Sequence, residues 1–305
     1  MKTRKVYPGE VHHVCQQTVG GVLLFYTVSD YLVYFTVSCT LARRYGVQVL
    51  ALCPMADHTH CVLVVRNERT LSRFMQEYTR LFAHLWNGSR GREGPLFKHR
   101  FMSAAKLGNK QVRTTLSYNN NNPVERKMVR RAEEYRWNFL QYARQEAPFS
   151  PPLDPKNSSW ALRKILQEAR TLRQQEKYLN YVFLKRWGKR LDTVEYQQLA
   201  DYIIRTWNEI DYEAAISYYG DYDTMLRAFH DNTGSEYDIK EDRDNYSDAV
   251  YADCTRILHK EAGLSDPCTI FGLSVEQKTA LSRLLRIRTT ATPRQIGKYL
   301  HLSAM

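Results

Sequence analysis

His58-Thr59-His60 places two imidazoles two positions apart in the chain. On a strand such residues point to the same face, so both can reach one metal ion. Cys61 would point to the opposite face and is a poor third ligand despite being adjacent. The same pattern also arises from two satisfied polar side chains beside a turn. Tyr118 and Asn122 form a second candidate group. On a helix a spacing of four stacks them on one face, bringing a phenol beside a hard amide oxygen. A phenol is a nucleophile once its proton is withdrawn. With 21 tyrosines in the chain, however, a lone Tyr is more often core or surface. The asparagines 119–122 fit equally well a loop that ends at Pro123.

The elements that must position these groups follow from apolar spacing and turn residues. Residues 10–19 predict a first strand, and residues 31–45 a helix stopped by Gly46. Residues 47–53 are a short apolar run suited to a buried strand, with residues 58–65 as its hairpin partner. Leu71, Phe74, Met75, Tyr78, Leu81, Phe82 and Leu85 trace one face of an amphipathic helix. A basic, glycine-rich loop over 87–94 then leads to a fourth strand over 96–104 and a short helix over 109–123. The order β-α-β-β-α-β-α predicts an α+β fold, a ferredoxin-like antiparallel sheet with helices on one face.

Four prolines in residues 148–155 cannot continue a helix or a central strand. The expected division is a first domain over 1–147, a Pro-rich linker over 148–156, and a mostly α-helical C-terminal domain over 157–305. Leu162, Ile165, Leu166, Ala169 and Leu172 form an apolar stripe in that second part. Residues 231–245 are expected to form an acidic loop. Ser274 with Gln277, and Thr292 with Gln295, fit capping boxes that start two late helices. The segment 273–302 bears a faint likeness to the first two helices of a helix-turn-helix, and equally suits a helical hairpin packed on its own domain.

Charge divides at the same place. Residues 1–145 hold 22 Lys and Arg against 9 Asp and Glu, while residues 146–305 hold 22 against 23. A basic half with interleaved aromatics suits a polyphosphate that can also stack, although a solvated basic surface has the same composition. The chain has six cysteines and no C-x-x-C pair, which argues for reduced thiols. No apolar run is long enough to cross a bilayer, and no signal-peptide pattern follows the basic first residues. A cytoplasmic protein without a membrane partner is the expectation.

Four segments together carry a family resemblance. The run 52–60, Leu-Cys-Pro-Met-Ala-Asp-His-Thr-His, resembles the histidine–hydrophobic–histidine strand of the HUH nucleases. Residues 118–124, Tyr-Asn-Asn-Asn-Asn-Pro-Val, resemble the tyrosine helix of their single-tyrosine transposases. Gly94-Pro95-Leu96-Phe97-Lys98-His99-Arg100-Phe101 is similar to a strand of that family, and Tyr135-Arg136-Trp137-Asn138 to its aromatic stretch. The subgroup most resembled is the REP-associated tyrosine transposases, over about residues 8–142. Three positions depart from the pattern: Thr59 between the histidines, Asn119 after the tyrosine, and Arg126-Lys127 after Asn-Pro-Val.

The resemblance implies that His58, His60 and Asn122 hold a divalent metal, Mg²⁺ or Mn²⁺, and that Tyr118 is the nucleophile. It implies cleavage and rejoining of single-stranded, hairpin-forming DNA through a 5′-phosphotyrosine, by a monomer or homodimer. Arg90, Arg92, Lys98, His99, Arg100, Arg126 and Lys127 are the expected DNA contacts. Two rival functions stay in view. One is a domesticated hairpin-DNA-binding regulator with little turnover; the other is a metal hydrolase without a tyrosine intermediate.

Overall fold

The computed structural model describes residues 5–154, 156–231 and 247–302. Four strands form one antiparallel sheet: β1 (Val11–Gln17), β2 (Gln48–Pro54), β3 (His58–Val64) and β4 (Met102–Lys106). Their order is β2-β3-β1-β4, the ferredoxin-like arrangement. α1 (Val28–Tyr45) and α2 (Glu68–Arg90) cover one face, and α3 (Asn109–Glu125) lies across the other. A mostly helical region follows.

Local signals place most boundaries. The Asp30 carboxylate accepts the backbone N–H of Thr27 at 2.9 Å and starts α1, while Gly46, at φ 61°, ends it. Asn67 caps α2 by accepting the Thr70 N–H at 2.9 Å. That helix runs on through residues 87–90, which propensity assigns to a loop. Tertiary contacts decide otherwise: Trp86 donates from Nε1 to the Leu24 carbonyl at 2.8 Å, and Arg90 pairs with buried Asp30 at 2.5 Å.

The fourth strand also lies later than the pattern predicts. Lys98 N–H reaches the Gln17 carbonyl at 2.9 Å and Phe97 bridges Thr18, but the chain then bends at exposed His99 and Arg100. Regular pairing resumes only at Met102, opposite Cys15. The edge of β1 is therefore covered by two separate pieces of chain.

The later helices are α4 (Trp160–Gln174), α5 (Tyr181–Gly188), α6 (Thr193–Trp207), α7 (Tyr212–Ser217), α8 (Tyr222–Asp231), α9 (Val250–Ala262), α10 (Val275–Arg288) and α11 (Pro293–Leu300). Leu162, Ile165, Ala169 and Leu172 are buried as their stripe predicts, in one apolar cluster with Phe35 and Leu41 of α1. The proline-rich segment is pinned at its start. Asp201 of α6 accepts the Phe149 N–H at 3.1 Å and the Ser150 hydroxyl at 2.8 Å, and its other oxygen holds Arg136. Both late capping boxes form, at Ser274 and Thr292. The expected acidic loop lies outside the described residues, apart from Asp231 at the end of α8. No described helix is long and apolar enough to cross a membrane.

Candidate active site

The register of β3 sets His60 opposite Cys15 of β1 and Cys53 of β2. Facing residues in an antiparallel ladder share a face, so His13, His58 and His60 all point towards α3. Cys61 points the other way, where its sulfur lies 3.8 Å from the Tyr34 hydroxyl on α1. Tyr118 descends from α3 onto the histidines. Its ring meets His60 edge-on at 5.8 Å between centroids and His13 at 5.7 Å. His58 and His60 stand nearly perpendicular at 4.8 Å.

Asn122 lies one turn beyond Tyr118 and donates from Nδ2 to the Tyr118 carbonyl at 3.0 Å. With its amino end turned to the backbone, the amide offers Oδ1 as the end suited to a cation. The four residues singled out by spacing are all buried, at 4 % exposure or less. His13 joins them without having been marked by a motif. Its Nε2 lies 3.0 Å from His60 Nδ1, and their rings stack at 5.2 Å. The signal that could have found it is an imidazole on the same strand phase as Val11 and Cys15, both apolar and buried.

The donor chemistry fits a divalent metal. His58 Nδ1 meets the Asp57 carboxylate at 2.7 Å, and His60 Nδ1 meets His13, so a metal on these rings would take Nε2. Burial, followed by the charges of His58, His13 and Arg126, pushes His60 well below the usual histidine range. A neutral imidazole is the form that ligates. Among the described residues no group of three His, Cys, Asp or Glu side chains is placed to hold an ion. Asn122, one turn beyond Tyr118 on α3, carries an amide oxygen of the kind that could serve as a further donor. Burial pulls the Asp57 carboxyl upward, but the hydrogen bond and charge of His58 and the charge of Lys298 hold it well below the usual range. Nearby Asp248 is pushed up to about 6, chiefly by burial, against the opposing charge of Arg126.

The basic residues are placed unevenly. Lys98, His99, Arg100 and Lys127 are exposed, with Lys98 donating to Gln17 at 2.6 Å. Arg126 is half-buried and near enough to act on His60. Arg92 folds back on its own loop, donating to Asn87 at 3.0 Å and to the Pro95 carbonyl at 3.1 Å. Arg90 faces inward, its guanidinium over Trp86 and its side chain 1 % exposed, so its position is structural and not one that meets a phosphate.

Asn119 is fully buried, and neither end of its amide has a hydrogen-bond partner among the described residues. An unmet buried amide costs about 1–3 kcal/mol. Asn119→Leu is therefore expected to raise the urea midpoint by a stabilisation of about that size. A lowered midpoint would show that the amide has a partner worth more than the apolar replacement.

No known family profile matches the chain, and no curated protein does. Among solved structures it is similar to a REP-associated tyrosine transposase bound to a REP hairpin. The identity is 18 % and the TM-score 0.40, over 52 % of this chain and 96 % of that one.

Proposed function

We propose that this chain is a metal-dependent endonuclease and strand transferase for single-stranded, hairpin-forming DNA. Tyr118 is its nucleophile, and His58, His60 and Asn122 hold Mg²⁺ or Mn²⁺. The observation that carries the reading is the contact of the Tyr118 ring with both His60 and His13, with the His58 ring beside that of His60. A strand pair of imidazoles and a helical phenol, 58 residues apart in sequence, converge on one buried face. The catalytic unit in this reading is 1–147, joined through 148–156 to the accessory helices of 157–305.

When bound, the metal supplies charge stabilisation to the phosphoryl oxygens. The rest falls to the protein. Asp57 and His13 fix the rings of His58 and His60. The Tyr118 oxygen attacks phosphorus, forming a new O–P bond while the P–O3′ bond breaks. In the net step the phenol proton ends on the 3′ oxygen, which leaves as a hydroxyl, and the DNA stays on Tyr118 through its 5′ phosphate. Reversal by a second 3′-OH rejoins the strand without outside energy. Exposed Lys98, His99, Arg100 and Lys127, with Arg126, are the groups assigned to the phosphates.

A second reading, a hairpin-DNA-binding regulator with little turnover, draws on one fact. Tyr118 is only 2 % exposed, so the site must open for a phosphodiester to reach it. One assay separates the readings. Labelled hairpin DNA with a single-stranded flank, given Mn²⁺, is expected to yield a protein–DNA adduct that survives boiling in detergent. Fully paired duplex of the same sequence should react at least about tenfold more slowly, since opening base pairs costs a few kcal/mol. Binding without adduct or product would favour the regulator. Free 5′-phosphate products without an adduct would favour a metal hydrolase.

A further inference from the structure

We propose that Lys298, in the last described helix, is a positioning residue for the histidine site nearly 240 residues before it. Its ammonium donates to Asp57 Oδ2 at 2.9 Å, while the other oxygen of the same carboxylate, Oδ1, lies 2.7 Å from His58 Nδ1. A carboxylate only accepts, so Nδ1 of His58 carries a proton, and in the neutral ring Nε2 then keeps the lone pair a metal needs. Lys298 holds the second oxygen and so stops the carboxylate turning away from the ring. The consequence for metal binding rests on the proposed function; the tautomer argument does not.

The rest of the fold is built to deliver this lysine. Ile296, Tyr299 and Leu300 bury α11 in one cluster with Leu23 and Ala56, beside the β2–β3 turn. The Tyr26 hydroxyl donates to the Tyr299 carbonyl at 3.0 Å, and Tyr299 meets Thr255 of α9 through its own hydroxyl at 2.7 Å. The backbone of Asp57 is fixed from the opposite side, where its carbonyl accepts both the N–H and the hydroxyl of Thr18, at 3.1 and 2.9 Å. Gly21 leaves the passage open: a Cβ there would lie 2.7 Å from Lys298 Cε. Lys298 and Asp57 are 20 % and 24 % exposed, which takes this pair out of the class of loose surface ion pairs.

The test reads the ring directly, in full-length metal-free protein labelled with ¹⁵N-histidine and with His58 assigned by His58→Gln. Wild type should show His58 with its proton on Nδ1. Lys298→Arg should keep that signature, whereas Lys298→Met and Lys298→Gln should shift it towards a mixture of tautomers. Calorimetric Mn²⁺ affinity should fall about tenfold in the Met and Gln variants and recover in Arg. An unchanged His58 signature in Lys298→Met would overturn the proposal. So would loss of the helical fold in both the Met and Gln variants, which would make Lys298 a structural residue. If wild type binds no Mn²⁺, the proposed function fails while the ring signal still decides the role of Lys298.

Discussion

Tyr118→Phe is expected to abolish the covalent adduct with hairpin DNA and to leave DNA affinity within about twofold. Only one oxygen is removed. The ring that meets His60 and His13 edge-on stays, so the packing of α3 on the sheet is kept. Loss of a covalent nucleophile removes the intermediate itself, so the decrease should exceed about 10³-fold, or ~4 kcal/mol in the barrier. Affinity should persist because it is carried by cationic groups on phosphates, and its logarithm should fall against log salt equally in both proteins. Adduct formation by the Phe variant, followed on denaturing gels, would remove Tyr118 from the mechanism and reopen the choice among the other tyrosines.

The second large effect concerns the metal. The double variant His58→Ala, His60→Ala should lose Mn²⁺ affinity by more than about 100-fold, because two of the three proposed protein donors vanish. His60 is fully buried against His13, so its truncation leaves the His13 Nε2 without that contact and costs about 1–3 kcal/mol of stability. Circular dichroism must therefore accompany the calorimetry. His60→Gln, which keeps a polar side chain, is the variant to use if the alanine form unfolds. DNA affinity in EDTA should be close to wild type. Mn²⁺ bound with wild-type affinity by the folded double variant would sink the metal site.

Much of this arrangement is written in local pattern. The period-two placement of His58 and His60, with Cys61 turned away, follows from strand alternation alone, and so does the stacking of Tyr118 with Asn122 from helical spacing. The apolar stripes of α1, α2 and α4 and the capping boxes of α10 and α11 are likewise local, because a cap or an amphipathic face is defined within a few residues. Sheet order followed from the succession of elements, since short connections leave few topologies open.

What the sequence did not disclose depends on residues distant in the chain. Arg90 belongs to a basic loop by composition, yet burial against Asp30 and Trp86 extends α2 through it and turns the guanidinium inward. Strand β4 begins at Met102 because pairing to β1 breaks at two exposed polar residues, a break that propensity does not locate. His13 enters the site through the β1–β3 register, and Lys298 through the docking of α11 beside the β2–β3 turn. Local propensity speaks for neighbours in the chain; long-range burial and hydrogen bonding decide which distant residues meet, and here they supply the groups that hold the histidines in place.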